Sequence, residues 1–402
     1  MHASFVTGRR LICAGLVAVA VAAAGCGGSD SGSSGSTAAS GSSASSGSSD
    51  TAALVAEAKK AVDAAKVGLP AKYSGPTEAV KTPKSLTLAV MPCGGAVRGC
   101  VALTEAAADL GKQLGWTVKS YDGKSDPSNQ NKAMLQAAAA GADIIITGGV
   151  AADQIKSGIG AAHKKGIIVG STSQAEVPKP TGYDFDVNPA GPEMGKIAGD
   201  WMIADSNGKA VFLPWIDKEF QGAVQFLQGN IDRVKQCSTC KVLDNQQFVA
   251  ASLATDFGSR TVNQVRQNKD ITYMNPSYDP AAAAQSAALM TAGLKDRVKI
   301  ASINGNKQNL DLVQKGQVQA IDVAYDQVYV GWMAVYQALR LYNKMPLYTT
   351  PGITDEVHKY SGNVPYKLFT QDNVMSPIKE WVADDIDWKQ QLGKLMGLTS
   401  PQ

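Results

Sequence analysis

"DIIITGGVAADQIKSGIGAAHKKGIIVGS", residues 143–171, decides the fold. Asp143-Ile-Ile-Ile-Thr147 is a short apolar run without polar alternation, the pattern of a strand buried on both faces. Gly148-Gly149 ends it. An Ala-rich amphipathic stretch, 152–165, follows and closes in Lys164-Lys165-Gly166. A second apolar run, 167–171, comes next. Strand, helix and strand in such quick succession mean a βαβ unit and parallel pairing.

The same pattern repeats from about residue 85 to 345. It predicts strands at 86–91, 116–121, 143–147, 167–171, 209–214, 241–247, 271–275, 298–303 and 318–323. Helices are predicted between them at 101–114, 128–140, 152–165, 190–205, 219–235, 252–268, 280–293 and 306–315, with a last one at 327–342. Asp126-Pro127-Ser128 and Asp279-Pro280 set a capping-type residue and a proline at helix starts. Such a length of α/β alternation exceeds one domain of about 150 residues, which predicts two lobes. A helical segment at 51–67 and a connector to 84 precede the repeat. A tail, 346–402, follows, with strand-like pieces near 347–350 and 365–369. Its Trp381 and Trp388 read as core or strap contacts.

The N-terminal residues set the compartment. Arg9-Arg10 precede an apolar run, Leu11–Ala24, too short to span a membrane, which is the layout of a secretory signal, 1–25. The run ends in Ala23-Ala24-Gly25-Cys26, which resembles the lipobox of bacterial lipoproteins. That resemblance implies a lipidated Cys26 and an extracytoplasmic chain anchored to the cell membrane. Residues 26–50 are rich in Ser and Gly and read as a flexible tether. Without residues 1–25 the chain holds 36 basic and 35 acidic residues, a balance that excludes a nucleic-acid binder. Beyond Cys13 and Cys26, four cysteines remain. Three pairings are open; proximity favours Cys93–Cys100 and Cys237–Cys240, and export favours disulfides. Cys237-Ser-Thr-Cys240 has redox spacing, but it follows a helix and precedes a strand, so it reads as a surface disulfide.

Several landmarks occur in a fixed order: Leu114-Gly-Trp, Tyr121-Asp, Asp126-Pro127 and Gln130, then Ala142-Asp-Ile-Ile-Ile and Ala162-His-Lys-Lys-Gly-Ile-Ile-Val. They continue with Asp186-Val-Asn188, Gly195-Lys-Ile-Ala-Gly-Asp200, Ser302-Ile-Asn-Gly305 and Lys315-Gly-Gln-Val-Gln-Ala320. Over roughly 85–345 the chain resembles the type I, ribose-type periplasmic sugar-binding proteins of bacterial ABC importers. The resemblance implies a two-lobed α/β fold, each lobe a parallel sheet flanked by helices, joined by a hinge. One lobe would be 85–187 plus 328–350, the other 188–327 plus 351–402. It also implies a monomer that captures a small sugar or sugar-like solute between its lobes and delivers it to an ABC permease. A sensory lipoprotein, or a binder of a non-sugar solute, would use the same cleft.

In that family the loop after the first strand carries stacking aromatics; here it is Gly94–Cys100, with Arg98 the only long side chain. The loop after the fourth strand holds Ser171-Thr172 where relatives carry Asp-Arg. Ser277 and Asn304 stand near further polar positions, and Tyr325 and Gln327 at the hinge. Trp215 and Phe248 are candidates for the missing stacking wall, with Asp217 in the same loop. No catalytic, cofactor or metal role is assigned. There is no nucleophile elbow, and His2, His163 and His358 form no cluster. In "PCGGAVRGC", 92–100, Cys100-Val101 stands where a phosphate loop needs Lys and Ser or Thr. The loop therefore reads as a stapled wall of the cleft.

Overall fold

The structure, a computed structural model, describes residues 46–401. The signal 1–25, Cys26 and most of the 26–50 tether lie outside the described residues. The opening run becomes β3 (Ile144–Gly148) at the middle of a five-stranded sheet. Its order is β2 (Thr117–Ser120), β1 (Thr87–Pro92), β3, β4 (Ile168–Thr172), β5 (Phe185–Val187), with every pair parallel. Ile144 and Ile146 enter the core under helices α2 (Arg98–Gln113) and α10 (Gln327–Tyr342). Ile145 enters the opposite core with Met134 and Ile159, from α3 (Pro127–Ala139) and α4 (Lys156–His163). The period of two divides one isoleucine run between two cores, each side chain contributing about 1.5–3 kcal/mol on burial.

The second sheet has seven strands. Its main order is β12 (Tyr366–Thr370), β11 (Gln319–Tyr325), β10 (Lys299–Ile303), β9 (Tyr273–Asn275), β6 (Val211–Asp217), β7 (Lys241–Val242). A short β8 (Gln246–Phe248) also pairs with β6. All pairs are parallel except β12 on β11. Helices α5 (Gly191–Asp205), α6 (Gln221–Lys235), α7 (Phe257–Gln267), α8 (Asp279–Thr291) and α9 (Lys307–Gln314) flank this sheet.

Several expectations change. The strand expected at 241–247 is two pieces, because Asp244-Asn245 interrupts it with turn-forming residues. β5 is a three-residue edge strand that no long apolar run announces. The stretch 347–350 forms no strand: Tyr348 gives its N–H to Gln337 Oε1 (2.9 Å) and its carbonyl accepts from Gln337 Nε2 (3.0 Å). Asp126 caps α3 as expected, accepting from Asn129 N (2.8 Å) with Pro127 behind it. Asp279 does not cap α8; it is buried across the sheet and accepts from Ser302 Oγ (2.5 Å) and Asn306 N (2.8 Å).

The two extensions dock on this frame. Helix α1 (Ser46–Val67) sets Val55 and Ala58 against Ile203 and Cys237. Beside it Arg233 gives Nε to Asp200 Oδ1 (2.5 Å) and Nη2 to Glu57 Oε1 (2.8 Å). The Cys237–Cys240 disulfide is half at the surface: α1 buries Cys237, while Cys240 stays partly exposed. At the other end, Trp388 opens α11 (Trp388–Leu395) and meets Tyr329 and Trp332 edge-on, at 5.1 and 5.3 Å. Asp326 joins tail and hinge. Its Oδ1 accepts from Tyr329 N, and its Oδ2 from Ala383 N and Trp388 Nε1.

Candidate ligand-binding cleft

The two sheets point their strand carboxyl ends at one another, the position where open α/β sheets bind ligands. Between them lies a cavity of about 70 Å³. From the first lobe it is walled by Val97, Gly99, Cys100 and Leu103 after β1, Gly149 after β3 and Ser173 after β4. From the second come Phe220, Gly222 and Ala223 after β6, Tyr278 and Pro280 after β9, and Ile303-Asn304 at the end of β10. Pro189 and Tyr325 add to it where the chain passes between the lobes. The lobes meet closely: a Cβ on Gly222 would stand 2.7 Å from Ser173 O.

Polar groups meet at one point. Tyr325 OH lies 3.4 Å from Ser173 Oγ and 3.3 Å from Asn304 Nδ2. Ser173 (φ 60°) and Asn304 (φ 135°) both hold left-handed backbone, a cost that residues at binding sites often carry. Gln327 donates to Asn304 O (2.9 Å) and fixes the loop from behind. Deeper still, Asp279 and Asp322 face each other with no exposure to solvent. Burial, and then the Asp322 charge, pushes Asp279 well above the usual carboxylate range, and burial pushes Asp322 up to about 6.

The aromatic wall is Phe220 against Tyr278, edge-on at 5.5 Å. Tyr278 OH donates to Asp217 Oδ2 (2.7 Å), and burial pushes Asp217 up to about 6. The Cys93–Cys100 disulfide forms the floor of the β1 loop, with Cys100 on the cavity. Gly149 is demanded there: a Cβ would stand 2.5 Å from Cys100 Sγ.

Of the sequence candidates, Asn304 and Tyr325 stand on the cavity wall. Asp217 and Gln327 support the wall from behind. Ser171 and Thr172 are buried in β4, Thr172 donating to Thr147 O, and Ser173 is the residue that reaches the cavity. Trp215 is fully buried against Phe257, because β6 runs on to Asp217 and makes it a strand residue. Phe248 packs behind Tyr278, and Ser277 donates to Trp215 O. Arg98 turns outward, giving Nε and Nη2 to Glu380 (2.5 and 2.6 Å) and Nη1 to Glu105 (2.5 Å). Phe220 and Tyr278, which line the cavity, are not among the sequence candidates. The sequence signal was there, one to three residues from Asp217 and Ser277.

The family profile described as "Periplasmic binding protein domain" matches residues 89–344, which hold the cleft and the strands of both sheets except β12. The chain belongs to the periplasmic binding protein family. No curated protein matches it. Solved structures of the same fold include the arabinose-transporter binding component of Shewanella sp. ANA-3, bound to arabinofuranose. It is 18% identical with a TM-score of 0.59, over 79% of this chain and 100% of that one. An Agrobacterium vitis solute-binding protein with α-D-tagatopyranose is 14% identical, TM-score 0.62, over 74% and 100%. An ABC sugar transporter subunit of Rhodobacter sphaeroides is 15% identical, TM-score 0.60, over 72% and 99%. Among the described residues of this periplasmic binding protein, no helix is long and apolar enough to cross a membrane.

Proposed function

We propose that this protein is the extracytoplasmic, lipid-anchored solute-binding component of an ABC importer. It captures a small uncharged solute, of the sugar or sugar-like size, between its lobes and presents the closed form to a permease. The observation that carries this reading is the cavity itself. It is walled from both lobes and from the hinge at the strand carboxyl ends, with Ser173 and Asn304 joined through Tyr325. The sugars bound in structures of the same fold support the size class. Cys26 would carry the lipid, and the rest of 26–50 would be the tether. The lobes are taken as 85–187 plus 328–350 and 188–327 plus 351–402, with α10 packed under the first sheet and β12 on the edge of the second. The chain acts as a monomer and performs no chemistry on the solute.

Small-angle scattering with increasing solute tests closure. A thermal-shift panel of sugars, polyols and small aromatic and amino compounds supplies the solutes. A ligand at 100 times its Kd adds about 2.7 kcal/mol to stability, which such a panel registers. The expected result is a smaller radius of gyration with the solute that raises Tm. An unchanged radius at saturation would refute closure.

A further inference from the structure

The chemistry of the cavity wall narrows the solute further, on the binding role proposed above. We infer that the cleft takes a compact, uncharged ring compound with a single polar group, of the phenol or cyclic-alcohol kind, and not a free sugar or polyol. Among the described residues, no charged side chain lines the cavity. The charges near it are committed elsewhere. Asp217 accepts from Tyr278 OH and Glu219 N. Asp279 and Asp322 sit behind the Asn304 loop, accepting from Asn306 N and Gly305 N. Arg98 is held outside by Glu105 and Glu380.

Three of the backbone donors at the wall are committed as well. Gly149 N–H goes to Thr172 O (3.1 Å), Cys100 N–H to Val97 O (2.9 Å) and Ser173 N–H to Val187 O (2.9 Å). The side-chain polar groups left to a ligand converge at the Ser173–Tyr325–Asn304 point. The wall elsewhere is apolar, with Val97, Leu103, Phe220, Ala223, Pro280 and Ile303.

A molecule with hydroxyls on every edge would turn most of them toward this apolar wall. Each hydroxyl stripped of water without a partner loses roughly tenfold or more in affinity. A molecule with one polar group loses nothing there: that group joins the polar point, and its ring lies in the corner of Phe220 and Tyr278.

Isothermal titration of the intact chain tests this. The ring probes are phenol, 4-methylphenol and cyclohexanol; the polyhydroxy probes are D-ribose, D-galactose and myo-inositol. At least one ring alcohol is expected to bind tenfold or more tightly than any polyhydroxy probe. Toluene, which lacks the hydroxyl of 4-methylphenol, is expected to bind about tenfold more weakly than it. The variant Asn304→Ala is expected to narrow that gap. Tighter binding of a polyhydroxy probe, or silence from all three ring alcohols, overturns the inferred class. The binding role fails separately: it falls only if no solute of either kind compacts the molecule in scattering.

Discussion

Asp326 is one residue with three tasks. It caps α10 through Tyr329 N and ties the tail through Ala383 N and Trp388 Nε1. Burial pushes its carboxyl up to about 6, and does the same to Asp186, Asp217 and Asp322. A folded-state value raised above the unfolded one means that the folded protein holds the proton more tightly. Stability from such a group is fully present below about pH 4 and is lost as pH rises through about 6. These carboxyls therefore make the protein less stable at pH 7.5 than at pH 5, by about 1.4 kcal/mol per group, the part of the shift that lies above pH 5. Urea unfolding at pH 5, 6 and 7.5 measures the slope. Asp326→Asn should flatten it and should lower stability at pH 7.5, because its amide turns a donor toward at least one of these N–H donors. An unchanged slope in that variant contradicts the assignment.

At the scale of elements, the tail segment 371–387 works as a strap across the two lobes. Its Trp381 packs with Phe369 on the second sheet, and its Glu380 takes the guanidinium fork of Arg98 at the start of α2. The pair is bidentate yet about a third exposed or more on each side, so solvent screens it to about 1 kcal/mol or less. Glu380→Gln should lower Tm slightly in dilute buffer. The difference from the parent should vanish near 1 M salt, where the Debye length falls to about 3 Å. A difference that survives high salt would mean that packing, not charge, holds the strap. The Cys93–Cys100 staple lies at the same helix start and closes a short ring, worth roughly 2–3 kcal/mol by chain entropy.

For the molecule as a whole, closure depends on backbone approach at Gly222. A valine there would drive its side chain into Ser173 O, which a Cβ alone would meet at 2.7 Å. Gly222→Val is expected to keep the lobes apart. It should give a larger radius of gyration and little or no compaction by any solute, with each lobe still folded by circular dichroism. A variant that compacts as the parent does would show that the lobes close along another path.

The sequence by itself determined the parallel α/β architecture. Apolar runs such as Ile144–Ile146 and the Ala-rich stretches between them are local patterns, and local patterns report period and burial. It also located the loops that meet at the cleft, since those follow the strand ends. Only the tertiary structure decided which side chain of each loop enters the cavity. β6 gains Trp215–Asp217 by pairing with β8, and β4 runs on to Thr172 beside β5. Each added strand residue moves the turn, so the cavity receives Phe220 and Ser173 in place of Trp215 and Ser171. Partners from distant parts of the chain set those strand ends, which is why the loops were legible in the sequence and the facing residues were not.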